Sequence, residues 1–311
     1  MTCSKEKNIC TTPAASFQEF YVPFTPERGE GYGGVPDPHL WTANLHEIPA
    51  HTVRNHRFDC IVFQSRRNYL HDQYEILSSE QQKLPRIYLE HDPPREQPTD
   101  THHIVDDPNV LLVHVTHFND LMWDSGRTPT RVIEHGVAIT PGVSYSGELA
   151  RGVVVVNGLK RRGRRLGADI FERVRQQVPL DLVGMWAEEL GGLGEIKRPQ
   201  LPVFEARYRF FFNPIRYTSL GLAVCEAMML GMPIVGLATT EMVTVIKNGV
   251  SGYVHTDVNF LIERMHELLA DSSHARQMGQ AAQRYAQVHF SIERFARDWD
   301  AALAYVTHNN A

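Results

Sequence analysis

The sequence predicts an α/β protein made of two doubly wound halves. Three observations carry this reading. Short apolar runs alternate with helical patterns from Cys60 onward. The runs are apolar throughout, as strands of a parallel sheet covered on both faces must be. The chain has 311 residues, which is long for one domain and ordinary for two.

In order, residues 1–18 are polar and patternless and are expected to be disordered. Phe20–Phe24 reads as a short strand, and the glycines and prolines after Glu30 as a loop. The first half continues with strands at Cys60–Phe63, Arg86–Glu90, Val110–Val115 and Arg131–Ile133, and helices over 72–83 and 117–125. The second half starts with a strand at Val153–Val156 and a helix over 165–178. Strands at Asp181–Val183, Tyr208–Phe212 and Pro233–Leu237 follow, and Leu222–Leu230 is a helix stopped by Gly231 and Pro233. The last fifty residues are helical, with Ser291 at an N-cap position. The expected divisions are 19–145, 146–290 and a terminal helix over 291–311. Two such halves imply a cleft at the carboxyl ends of their strands.

Composition narrows the function. Hydrophobic residues make up 42% and charged residues 22%, which supplies material for two cores. The net charge of −5 argues against a general nucleic-acid binder. Cys3, Cys10, Cys60 and Cys225 form no paired spacing, so neither a disulfide framework nor a structural zinc site is expected. No apolar run reaches the ~18 residues of a membrane span, and the N-terminus lacks the apolar core of a signal peptide. The expected location is cytoplasmic, with association at the inner membrane surface left open.

Three segments carry candidate chemistry. In the first, Asn213-Pro-Ile-Arg-Tyr-Thr-Ser-Leu-Gly-Leu-Ala-Val-Cys-Glu226, a strand ends and a loop with Thr218, Ser219 and Gly221 leads into a helix. Helix-start amides attract anions. Glu226 lies one turn inside on an apolar segment and needs hydroxyl or amide partners, which a ribose supplies. A surface ion pair on a capped helix fits these residues equally well. The second, Val156-Asn-Gly-Leu-Lys-Arg-Arg-Gly-Arg-Arg-Leu-Gly167, sets five basic residues at a strand-to-helix junction, chemistry that suits a diphosphate. A solvated basic turn or an RNA contact is the alternative. The third ends a strand in His91-Asp92-Pro-Pro, where His91 is a ligand contact or a hydrogen-bonded strand-end histidine. His135 and Thr116 end neighbouring strands in the same way.

Metal sites are not expected. His114 and His117, and the pair His102-His103, lack a third ligand at suitable spacing. Asp298 and Asp300 face apart on a helix and read as a solvated surface.

The stretch Pro214-Ile-Arg-Tyr-Thr-Ser-Leu-Gly-Leu-Ala-Val-Cys-Glu226-Ala-Met-Met-Leu-Gly-Met-Pro233-Ile-Val resembles the retaining glycosyltransferases of GT-B fold, the group 1 or family 4-like transferases. Their pattern runs Pro-Ser-x-x-Glu-Gly-Phe-Gly-Leu-x-x-x-Glu-Ala-Met-x-x-Gly-x-Pro-Val-Val. Asn248-Gly-Val-Ser-Gly-Tyr-Val254 and His289-Phe-Ser-Ile-Glu-Arg-Phe-Ala extend the resemblance over about 150–311.

The resemblance implies two Rossmann-like domains facing a cleft, the N-terminal one shortened, with the last helix returning to the N-terminal half. It implies transfer of a sugar from a nucleoside-diphosphate sugar to a carbohydrate or lipid-linked hydroxyl acceptor, with retention, no essential metal and no further cofactor. Glu226 would hold the ribose. The amides at Leu220, Gly221 and Leu222 would face sugar or diphosphate. Arg162, helped by Arg161, would take the diphosphate, with Arg216 a further phosphate contact. His91, Thr218 and Ser219 would hold the donor sugar. Two departures stand out. Thr218 replaces the family's first glutamate, and Gly158 stands where its phosphate-binding arginine would be. These keep open a silent nucleotide-sugar-binding or scaffold protein, and an epimerase or hydrolase of nucleotide sugars.

Overall fold

The computed structural model describes residues 18–35 and 43–308. The expectation of disorder over 1–18 lies outside the described residues, Gln18 apart. The chain divides into two compact units, Met1–Gly136 with Ile292–Ala311, and Val137–Ser291.

The first unit opens with β1 (Phe20–Phe24) and β2 (Leu45–Pro49), paired in parallel as a small separate sheet. Then β3 (Ile61–Phe63), β4 (Arg86–Glu90), β5 (Val110–His114) and β6 (Thr130–Val132) make a parallel sheet in sequential order. Alternation sorts their side chains. Ile87, Leu89, Leu111 and Val113 pack with Trp299, Ala302, Leu303 and Val306 of the terminal helix, residues Ile292–His308. Tyr88, Val110 and Leu112 pack with Phe63 and Val105. Both faces are covered, so the strands are near-continuous apolar runs. Arg294 fixes the terminal helix by donating to the carbonyls of Glu134 (2.8 Å) and His135 (2.6 Å).

The helix expected over 72–83 forms only in part and starts earlier. A π-helical turn, Asn68–Asp72, runs into α1 (Gln73–Ile76). Leu77 is extended, and Ser78-Ser-Glu-Gln81 acts as a capping box. The Ser78 amide donates to the Gln81 side chain (2.8 Å), and the Gln81 amide donates to Ser78 Oγ (3.2 Å). That reciprocal pair starts a separate short turn at Gln81–Lys83. The next helix, α2 (His117–Met122), is capped by Thr116, whose hydroxyl accepts from the Asn119 amide at 3.1 Å.

The second unit begins with β7 (Leu149–Val155), α3 (Leu159–Leu166), α4 (Ala168–Arg175) and β8 (Leu180–Val183). It continues through α5 (Gln200–Glu205), β9 (Tyr208–Asn213), α6 (Leu222–Leu230) and β10 (Ile234–Leu237). It closes with α7 (Met242–Val245), β11 (Gly252–His255), α8 (Val258–Ala270) and α9 (Ser272–His289), so the terminal helix is α10. The sheet order is β11-β10-β9-β7-β8, parallel throughout. Phe210 and Phe212 face one core, and Tyr208 and Phe211 the other.

One helix was expected over 165–178, but two form, and the first starts at Leu159. Gly163 breaks helical geometry at φ 58, ψ −141, and Gly167 separates α3 from α4 at φ 83. These are left-handed conformations that a residue with a Cβ adopts at a cost. Tyr145 belongs to the second unit because its hydroxyl donates to the Arg209 carbonyl (2.7 Å) and its amide to Leu230 (3.2 Å). Among the described residues no helix is long and apolar enough to cross a membrane.

Gly279 on α9 sits against the end of α6. A Cβ there would lie 1.9 Å from the Gly231 carbonyl oxygen, which is backbone and cannot step aside. Gly279→Ala should lower stability by about 1–3 kcal/mol, the usual cost of overpacking, as a reduced urea midpoint. An unchanged midpoint would mean that α6 and α9 do not pack this closely.

Candidate nucleotide-binding site

The second sheet sets where a ligand can enter. After β7 the chain goes to β8 on one side, then crosses to β9 on the other. The connections therefore diverge between β7 and β9, and parallel sheets bind ligands at such a switch point, outside the carboxyl ends of the strands. The loop after β7 carries Gly158 and the arginine-rich segment. The loop after β9 carries Arg216 to Gly221.

These two loops are fastened together. The amides of Arg216 and Tyr217 donate to the Arg165 carbonyl at 3.0 and 3.2 Å. The Arg216 guanidinium makes two bonds to Asp169, at 2.6 and 2.7 Å, and a third to the Arg164 carbonyl. The bond from Arg216 is the main reason the Asp169 carboxyl is held below its ordinary range. Arg216 thus braces Asp169 and the end of α3. The loop after β10 joins them through Thr239, whose hydroxyl donates to the Ile215 carbonyl (3.1 Å), and Thr240, which donates to Ser219 (3.2 Å).

The basic segment divides by partner. Arg161 bonds Glu189 at 2.6 and 2.8 Å and lies 4.1 Å over the Trp186 ring. Arg164 pairs with Asp169. Arg162 is exposed at the start of α3. Gly158 caps that helix at φ 61, and its amide donates to the Met185 carbonyl at 2.8 Å, tying the β7 loop to the β8 loop. A Cβ at 158 would only touch Trp186, 3.4 Å away, so it is the positive φ that favours glycine there.

At the start of α6, Gly221 is the N-cap and offers no side-chain cap to the first amides. Leu220 buries its side chain in the core, so only its backbone faces the loop. Ser219 is buried, and Thr218 and Leu222 are half-buried. One turn on, Glu226 is 12% exposed and ion-paired with Arg198. The pair is thus part-buried, with Arg198 28% exposed, and not a fully solvated surface contact. Glu205, at the end of α5, is 2% exposed and beside them. Burial pushes both carboxyls up. For Glu205 the negative charge of Glu226 adds to burial, and its carboxyl stands well above the ordinary range.

Arg198, Glu205, Trp186 and Asp169 were not anticipated from sequence. The only signal for Arg198 is the basic pair Lys197-Arg198 before Pro199, at the start of α5.

His91 lies in the first unit, just after β4, and is 5% exposed. His135 follows β6 and is equally buried. Nearby, His103 bonds Glu90 at 3.2 Å, and His114 lies 3.7 Å from Asp120 and is pushed down to about 4 by burial. Among the described residues, no three His, Cys, Asp or Glu side chains are grouped so that they could hold a metal ion.

Residues 151–271, within the second unit, match the protein family described as Glycosyl transferases group 1. No curated protein matches the chain. Among solved structures, sucrose-phosphate synthase from Thermosynechococcus elongatus is similar at TM-score 0.66 and 18% identity, over 81% of this chain and 74% of that one. Anabaena HepE, in complex with UDP and glucose, gives 0.60 and 15%, over 79% and 78%. A glycosyltransferase from Rickettsia africae gives 0.64 and 12%, over 93% and 90%. Likeness at these identities is one of fold, an α/β architecture with parallel sheets as in GT-B glycosyltransferases.

Glu205 yields a pH test. Once unfolded it ionises near its ordinary 4.5, while the fold holds it protonated well above that. The folded state then binds more protons, so this group's contribution to stability falls as pH rises above 4.5, by up to about 1.4 kcal/mol per pH unit until the folded value is reached. Glu205→Gln should leave the thermal midpoint near wild type at pH 4.5 and raise it at pH 7.5. A variant less stable at pH 7.5 would show Glu205 ionised and paired.

Proposed function

We propose that the protein transfers a sugar from a nucleoside-diphosphate sugar to a hydroxyl acceptor, with the nucleotide held in the second unit at the β7–β9 switch point. The observation that carries this reading is Glu226. It is a largely buried carboxylate, 12% exposed, one turn inside α6, next to uncapped helix-start amides, within the segment that matches the group 1 transferases. Its chemistry suits the two ribose hydroxyls. The amides of Leu220 to Leu222, with Arg162, suit the diphosphate. Arg161, Gly158 and Arg216 shape the loops that present them. Thr218 and Ser219 lie where the donor sugar would follow, and His91 is assigned to that sugar by family resemblance. That HepE is solved with UDP and glucose supports a nucleotide sugar as donor.

Retention of configuration, independence from metal, and an acceptor that is a carbohydrate or a lipid-linked sugar belong to the same proposal and rest on the resemblance. A role in surface polysaccharide or glycolipid synthesis, on the cytoplasmic side of a membrane, would fit that acceptor. Thr218 favours one second reading, a protein that binds nucleotide sugar without turning it over.

Calorimetry with UDP-, GDP- and ADP-sugars tests the binding half. Arg162→Ala should weaken the diphosphate-containing donor by about 10- to 150-fold, the worth of one charge-assisted contact of ~1.5–3 kcal/mol, and leave the matching nucleoside monophosphate less affected. Glu226→Gln should weaken both ligands alike, because it acts at the ribose. Donor turnover with a hydroxyl acceptor separates the transferase from the silent binder. If no nucleotide sugar binds, or Glu226→Gln binds as wild type, the reading fails.

A further inference from the structure

The first unit contains a cavity of about 700 Å³ at the carboxyl end of β3. Its walls are Ser65 to Asn68, His71 and Glu75 on one side, and Glu30 and Gly31 on the other. Nothing in the nucleotide site accounts for it.

The cavity is built around one fixed guanidinium. Asp72, 2% exposed, accepts from Arg67 Nε at 3.0 Å and from Asn68 Nδ2 at 2.7 Å. Arg67 is therefore aimed from behind by a buried carboxylate. The opposite wall closes on the same carboxylate. Gly31 has φ 87, and a Cβ on it would lie 2.4 Å from Asp72 Oδ2. The Tyr32 hydroxyl then donates to Glu75 at 2.8 Å and holds the glycine loop to α1.

The charges divide unequally between framework and cavity. Asp72 and Glu75 are taken up by bonds within the wall. Glu30 meets Arg67 at 3.2 Å but is 80% exposed, a surface pair of little strength that a ligand can displace. Arg66 is exposed and has no acid partner among the described residues. His71 lies four residues after Arg67, so the two share a helical face.

We infer that this cavity binds the anionic group of a phosphate-bearing carbohydrate. Arg66 and Arg67 would grip the phosphate, and Glu30 and Ser65 would accept from ring hydroxyls. Guanidinium groups match phosphate oxygens in pairs, and carboxylates are strong acceptors for sugar hydroxyls. The volume falls within the range of small-molecule sites. On the transferase reading, on which this assignment of role rests, the carbohydrate is the acceptor.

The test uses the full chain and three probes, glucose 6-phosphate, glucuronate and glucose, titrated by calorimetry. Glucose 6-phosphate should bind, glucuronate less tightly, and glucose at least tenfold more weakly. Arg66→Gln, at an exposed position, should weaken glucose 6-phosphate about 10- to 150-fold and leave nucleotide-sugar binding unchanged. Arg162→Ala should leave glucose 6-phosphate binding intact. Equal binding of glucose and glucose 6-phosphate overturns the inference. So does an unaffected Arg66→Gln, or a loss caused by Arg162→Ala, which would put the phosphate in the nucleotide site. If no nucleotide sugar binds but the glucose 6-phosphate pattern holds, the cavity stands and only its role as acceptor site falls.

Discussion

The second unit's site depends on a close approach between Gly167 and Pro214. A Cβ on Gly167 would lie 1.9 Å from the Pro214 carbonyl oxygen, so the α3–α4 junction and the loop after β9 meet backbone to backbone. Asp169 then reaches Arg216 across the same junction, and the Arg165 carbonyl takes two amides of that loop. Each bond is worth about 1 kcal/mol net, but together they leave the loop little freedom. A ligand at the switch point meets donors already in place and does not have to order the loop itself. This also explains why most of the arginine-rich stretch is structural. A loop dense in guanidiniums needs acids to hold its shape, and Asp169 and Glu189 provide them.

The buried carboxylates beyond this junction follow a different logic. An isolated ion at the position of Glu226 would be costly, and Arg198 offsets that cost. A second ionised carboxylate beside it would have half a partner at best, so burial and the Glu226 charge push the Glu205 carboxyl well above its ordinary range. The three side chains make a nearly neutral cluster whose one reactive feature is a carboxylate already desolvated and oriented. A diol arriving there need not strip water from Glu226, but it must share that carboxylate with Arg198. Arg198 thus sets how available Glu226 is, without having been visible as part of the site.

Most strands of the two larger sheets were legible because those sheets are parallel and covered on both faces, while β2 and β11 were not read. Arg86–Glu90 and Leu222–Leu230 form over the expected residues, the first from its apolar run and the second from its glycine and proline stop. Helix ends misled where side chains compete with periodicity. Ser78 and Gln81 satisfy each other's amides and cut the pattern over 72–83 in two. Gly163 and Gly167 interrupt what reads as one helix. Local geometry was legible where it is set by neighbours in sequence, as at Gly221, which opens α6. The site was not legible where a partner comes from far along the chain. Arg198 lies 28 residues before Glu226, and Asp169 lies 47 before Arg216. No periodicity records such pairings.

Binding and chemistry rest on different parts of this site. On the proposed transferase reading, the ribose and diphosphate contacts would stay the same as the sugar moves, so by themselves they would hold the donor in ground and transition state alike and would not raise turnover. Rate must come from groups at the sugar. There Thr218 offers a neutral hydroxyl where the resembling family has a carboxylate, a contact of about 1 kcal/mol against ~1.5–3. The deficit is about 0.5–2 kcal/mol, roughly 2- to 30-fold. It falls on orientation of the sugar and leaves the helix-start amides of α6 untouched. A loop pinned at Gly167, Asp169 and Thr240 is what such a site needs to orient a sugar with fewer charged contacts. The rigidity of the loop therefore favours an active transferase over a silent binder, since a protein that only stores nucleotide sugar gains little from fixing the segment that faces the sugar.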